Sequence, residues 1–125
     1  MKKIDIDQEF ATQELKKIQI FKLLSNDEIQ QLIQKAQFYS YANGESIILE
    51  GDVNSNFYGI LKGMVSVTLL QENEDVFVDF IKQYGIFGEA GLFINAKRTA
   101  NVKAKEDVHV MCIERDDFFN FIQNN

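Results

Sequence analysis

Apolar residues recur at helical spacing through the first third of the chain, then give way to short runs typical of strands. Ser25-Asn26-Asp27-Glu28 has the form of a capping box, in which serine and glutamate satisfy each other's backbone amides at a helix start. Ile29, Leu32, Ile33 and Ala36 follow along one helical face. Upstream, Phe10, Leu15, Ile18 and Phe21 suit another helix or two, so residues 7–37 are predicted helical. Asn43-Gly44 changes the period. Runs at 47–49, 57–61, 64–70, 76–81, 99–104 and 108–113 read as strands. Gly51-Asp52, Lys62-Gly63, the polar tip at 71–75 and Glu106-Asp107 separate them. Many short, closely spaced strands predict a β-sandwich or barrel flanked by helices. Residues 116–123 predict a last helix docked on it, with Phe118, Phe119 and Phe121 giving core plus one exposed ring.

Length and charge narrow the picture. At 125 residues and 46% hydrophobic, the chain suits one core. The expected organisation is a single domain over 1–125: mostly helical at 1–38, β at 39–114, and the start of a C-terminal helical region at 115–125. No run approaches the roughly 18 apolar residues of a membrane span, and Met1-Lys2-Lys3 is not followed by a signal-peptide core. A cytoplasmic chain without membrane contact is expected. A net charge of −6 disfavours a nucleic-acid surface, which needs clustered cations. The lone Cys112, in an apolar run, reads as a reduced, buried thiol.

Against that acidic background, one stretch has the makings of an anion pocket. Phe87-Gly88-Glu89-Ala90-Gly91-Leu92-Phe93 places two glycines around the start of a short helix, whose first amides lack helical partners and attract phosphate. Arg98, opening the next strand, can grip two phosphate oxygens with its planar guanidinium. Glu89 would be repelled by that phosphate unless it faced another part of the ligand, and a hydroxyl such as a ribose offers is its natural donor. Catalysis finds no foothold. The serines have only His109 as an imidazole, no nucleophile elbow surrounds them, and no carboxylate pair stands out as acid and base. His109 itself reads as a strand residue, and one histidine with one cysteine makes a poor metal site.

The run Gly88-Glu89-Ala90-Gly91-Leu92-Phe93-Ile94-Asn95-Ala96-Lys97-Arg98-Thr99-Ala100-Asn101-Val102 resembles the phosphate-binding cassette of cyclic nucleotide-binding domains. Those domains serve cyclic-nucleotide-dependent kinases, cyclic-nucleotide-gated channels and the bacterial catabolite activator protein. Glu50-Gly51-Asp52 and Phe57-Tyr58-x-Ile60-x-x-Gly63-x-Val65-x-Val67 resemble the hairpin region ahead of that cassette. The resemblance implies a jelly-roll-like β-roll of about eight strands, mainly β with flanking α, and a cassette over 87–102. The ligand-binding set it implies is Gly88, Glu89, Ala90, Gly91, Arg98, Thr99 and Ala100. Glu89 would accept from the ribose 2′-hydroxyl and Arg98 would pair with the cyclic phosphate. The amides of Gly91 and Thr99 would donate to phosphate oxygens, and the Thr99 hydroxyl bears on guanine against adenine.

The implied ligand is cAMP or cGMP, without metal or other cofactor, and the partner is an effector of kinase or channel type outside this chain. The alternative is a relative that no longer responds to ligand and serves as an interaction module, with Arg98 and Glu89 as an internal ion pair. Asp79 would contact guanine if it faced the ligand, though a strand carboxylate ordinarily faces water. Two departures from the family pattern stand out. Lys97 occupies the place where many members carry proline, and Tyr84 precedes Gly85 where a glycine three residues before the cassette phenylalanine is usual, predicting a different turn. The family's lid helix would follow the last helix read here, so the base-covering group is expected from beyond Asn125.

Overall fold

The computed structural model describes residues 1–92 and 97–124. Among them, α1 (Gln8–Leu15) starts at Asp7, whose carboxylate accepts the Phe10 amide. A 3-10 turn (Gln19–Phe21) leads to α2 (Asn26–Lys35), which carries the full capping box: Glu28 N donates to Ser25 Oγ at 3.1 Å and Ser25 N to Glu28 Oε1 at 2.9 Å. The helical region ends two residues before Gln37, where its predicted end lay. Ala36 is already extended, and Gln37–Tyr41 forms a strand with Phe38 and Tyr41 buried. No helix among the described residues is long and apolar enough to cross a membrane.

The strands are β1 (Lys2–Lys3), β2 (Gln37–Tyr41), β3 (Ser46–Ile48), β4 (Asn56–Lys62), β5 (Val65–Gln71), β6 (Glu74–Ile81), β7 (Ile86–Phe87), β8 (Asn101–Ala104) and β9 (Val108–Glu114). They form two sheets, ordered β1-β2-β9-β4-β7 and β3-β8-β5-β6, the mainly β roll that the sequence predicts. The 71–75 tip is a two-residue turn, with Glu72 and Asn73 both at positive φ as a twisted hairpin favours.

Two cores share β4 and β9. On the helical side, Phe57, Leu61, Met111 and Ile113 pack with Leu15 and Leu32. On the other side, Tyr58, Ile60, Val110 and Cys112 face the second sheet with Val65 and Val102. Burial on both faces explains the continuous apolar run of β4. It also explains Gly59, where an added Cβ would sit 2.7 Å from Ile18 Cδ1. The last helix, α3 (Arg115–Gln123), docks as expected, with one correction. Phe121 is buried and Phe118 and Phe119 pack partly buried against the helical core, so no ring is exposed; the exposed apolar residue is Ile122.

Candidate functional site

β7 delivers the site. It pairs with β4 through Tyr58–Phe87 and Gly59–Ile86. Gly88 then turns the chain at φ +78°, and an added Cβ there would lie 2.8 Å from Asn56 O. The short helix expected next is a single 3-10 turn, Glu89–Leu92, which contains Ala90 and Gly91. Phe93, Ile94, Asn95 and Ala96, the middle of the predicted cassette, lie outside the described residues. Tyr84, where the family's usual glycine would stand, takes the left-handed conformation itself, at φ +68°.

Arg98 precedes β8 instead of opening it, because its main chain pairs elsewhere. Its amide donates to Asp52 O and its carbonyl accepts from Gly51 N, both at 2.7 Å. The Glu50-Gly51-Asp52 block of the sequence is thus the loop that anchors the arginine. Asn101 Oδ1 adds to this by accepting the Glu50 amide at 2.8 Å.

The Arg98 side chain is 9% exposed. Nη1 donates to Gly88 O at 3.0 Å, while Nη2 donates to Asn54 Oδ1 at 2.9 Å and Asn56 O at 2.5 Å. Nε is buried without a partner among the described residues. Burial pulls the guanidinium below its ordinary pKa, opposed by Tyr58, Glu89 and Asp52, and an arginine so perturbed stays charged. All three hydrogen-bond acceptors belong to uncharged groups, and no salt bridge joins Arg98 to Glu89 among the described residues. The internal ion pair of the interaction-module alternative is therefore not formed.

Gly88, Glu89, Ala90, Arg98, Thr99 and Ala100 come together around one cleft of about 350 Å³. The remaining member of the predicted set, Gly91, belongs to the 3-10 turn that follows Gly88. Lys97 also borders the cleft, a second cation on this side. The opposite wall is apolar: Ile48, Val67, Ile81 and Val102, one from each strand of the second sheet. None of these four was in the predicted ligand-binding set, although Val67 and Val102 lie in the two motifs and strand alternation puts all four on the inward face. Asn54 and Asn56 were also missed, and nothing local distinguishes them. Asp79 stands opposite Val67 in register, yet it is exposed and its Oδ1 accepts the Phe80 amide at 2.8 Å. It does not line the cleft. A carved, mostly apolar cleft with a few polar groups is the usual form of a small-ligand site, and the Arg98 cation on its border suits an anion.

The chain is similar to known proteins. The cGMP-dependent protein kinase of Eimeria tenella is 34% identical over 109 residues, 86% of this chain and 10% of the kinase. The cGMP-dependent protein kinase 2 of Homo sapiens is 32% identical over 107 residues, 83% of this chain and 14% of that protein. The chain thus spans about a tenth to a seventh of these curated relatives. The regulatory domain of Toxoplasma gondii PKA, in its co-crystal structure with cAMP, superposes with a TM-score of 0.84 at 22% identity. The match covers 92% of this chain and 45% of that one, and shows a shared fold. The family model for the cyclic nucleotide-binding domain matches residues 38–125, from β2 through α3 and including the whole cleft, and the chain belongs to that family.

Proposed function

We propose that the cleft takes the cyclic phosphate and ribose of cAMP or cGMP, and that its occupancy is passed to an effector of kinase or channel type. The observation that carries this reading is Arg98, a cation that borders the cleft, nine-tenths buried and, among the described residues, held only by uncharged acceptors and with its Nε–H unpartnered. A buried charge without a counter-charge is costly, and an anion in the cleft offsets that cost. Arg98 meets the phosphate, with Lys97 adding attraction and the amides of Gly91 and Thr99 donating from the loop. Glu89, exposed at the cleft, accepts from the ribose 2′-hydroxyl. Gly88, Ala90 and Ala100 keep the backbone within reach because their side chains are small or absent. Thr99 offers a hydroxyl to a guanine amino group. Together with the cGMP-dependent kinases among its relatives, this makes cGMP the first nucleotide to compare with cAMP. The same reading makes residues 1–125 one cytoplasmic receptor domain and not an enzyme, with no nucleic-acid or membrane partner.

Calorimetric titration with cAMP and cGMP in parallel tests it. Arg98→Ala is expected to weaken binding by about 2–5 kcal/mol, more than about tenfold. Arg98→Lys should restore only part, since an ammonium lacks the two-pronged geometry. From sequence alone these variants are expected to fold normally. The three buried hydrogen bonds of Arg98 predict instead that Arg98→Ala also loses stability, so melting curves belong beside the titrations. Glu89→Gln, at an exposed position, tests the ribose contact with the fold intact. Failure of the well-folded chain to bind either nucleotide would overturn the reading.

A further inference from the structure

The donors of Arg98 reveal a role for Asn54. A guanidinium has five N–H bonds, and among the described residues Arg98 uses three: Nη1 to Gly88 O, and Nη2 to Asn54 Oδ1 and to Asn56 O. Nη2 has two hydrogens and two acceptors, so it is fully engaged. Nε–H and one hydrogen of Nη1 remain. A planar guanidinium presents two forks to an oxyanion, Nε with Nη2 and Nη1 with Nη2, and both include Nη2. A two-pronged clamp on one phosphate therefore has to take a hydrogen from Nη2, whichever edge it uses.

The two acceptors on Nη2 differ in how readily they let go. Asn56 O is main chain at the first residue of β4, held in register opposite Glu114. Asn54 Oδ1 belongs to a side chain, and it also accepts the Asn56 amide at 3.3 Å. When Nη2 turns away, Oδ1 keeps that partner and is not orphaned. We infer that Asn54 is a displaceable holder of Arg98: its Oδ1 occupies the Nη2 donor that an incoming phosphate takes over. This rests on the reading of the cleft as a cyclic nucleotide site. Asn54 is then a positioning residue that also sets affinity, because the phosphate competes with a neutral amide oxygen for the same hydrogen.

The test is calorimetry with cAMP and cGMP on the full chain and on Asn54→Ala and Asn54→Asp, with melting curves to check folding. Asn54→Ala removes the competitor while Gly88 O and Asn56 O still hold the arginine, so binding should tighten by about two- to tenfold, the range of one ordinary hydrogen bond. Asn54→Asp replaces an amide oxygen by a carboxylate that pairs with Arg98 more strongly, and binding should weaken by at least about tenfold. A merely structural asparagine would weaken binding in both variants. Weaker binding by a folded Asn54→Ala, or wild-type affinity in Asn54→Asp, would overturn the assignment. If the wild-type chain takes up neither nucleotide, the receptor reading fails by itself. The holder is then read from the Arg98 Nη protons by nitrogen-edited NMR. They should be protected from exchange in the wild type and faster in Asn54→Ala, and equal exchange would remove the holder as well.

Discussion

Tyr58 and Phe87 stack face to face, with ring centroids 4.8 Å apart and planes 8° from parallel, where β4 and β7 pair. Phe87 is the last residue before Gly88, so the stack fixes where the chain turns into the cleft. Phe87 is buried, and Phe87→Ala should cost about 3–5 kcal/mol in denaturant unfolding. Phe87→Leu retains much of the volume but loses the stack, and should cost about 1–2 kcal/mol. A Phe87→Leu variant as stable as wild type would mean that ring stacking contributes nothing at this joint.

What could be read from the sequence was what is punctuated locally. The Ser25/Glu28 box, the turn at Gly63 and the polar hairpin tip each carry their own signal, and each appears where expected. Phe38-Tyr39-Ser40-Tyr41 lacked one. No glycine or proline stops α2, and the strand forms because it pairs with β9, whose Cys112 stands opposite Gln37. β1 and β7 have two residues each, too few to show a period. The site divides in the same way. Gly88, Glu89 and Arg98 could be read from their spacing, whereas Asn54 and Asn56 act on Arg98 from 44 and 42 residues away. That contact exists only once β4 and the cassette are side by side.

Gly88 combines two demands in one residue. Its φ of +78° disfavours any side chain, and a Cβ would lie 2.8 Å from Asn56 O and 3.4 Å from Arg98 Nη2. Gly88→Ala is therefore expected to lose about 1–3 kcal/mol of stability and to weaken nucleotide binding, because the main chain that has to move also carries the acceptor for Nη1. A variant as stable as wild type that bound normally would show that the turn can relax without disturbing the arginine.

Stability should fall on both sides of neutrality, for different groups. Burial, with Lys62 nearby, holds His109 below its usual 6.5 despite Asp107. The unfolded chain then binds the proton more readily, so stability is lost as pH falls from about 6.5 through the folded value. His109→Gln should flatten that part of a melting-temperature profile. Glu45, held low chiefly by its hydrogen bond with the N-terminal amine, acts only at lower pH, below its usual 4.5. On the alkaline side, burial pushes Cys112 up to about 11 and Tyr41 up to about 12, and raises Tyr58 as well. Their neutral forms favour the fold, so stability present below about pH 9 is lost as pH rises through those values. Cys112→Val should delay the onset of that loss, and an unchanged onset would exclude the thiol as its source.

Tyr84 sets backbone strain against a side-chain contact, and the balance can be measured. Its φ of +68° costs about 1–2 kcal/mol relative to glycine. In return its hydroxyl donates to Glu14 Oε1 at 3.0 Å, the other oxygen of that buried carboxylate accepts from Lys17 Nζ at 2.6 Å, and the ammonium lies 5.5 Å from the tyrosine ring centre. Lys17 is raised above its ordinary pKa first by Glu14 and then by Tyr84. Tyr84→Phe keeps the strain and the ring but leaves a buried carboxylate oxygen short of a donor, and should lose about 1–2 kcal/mol. Tyr84→Gly releases the strain and loses the contact, so it should fall within about 1 kcal/mol of wild type. Because Tyr84 lies three residues before Phe87 and Glu14 lies in α1, both variants should also speed amide exchange near Ala11 and Leu15. A Phe variant as stable as wild type, beside a Gly variant more stable by the full strain energy, would mean that the hydroxyl does not tie α1 to the approach to the cleft.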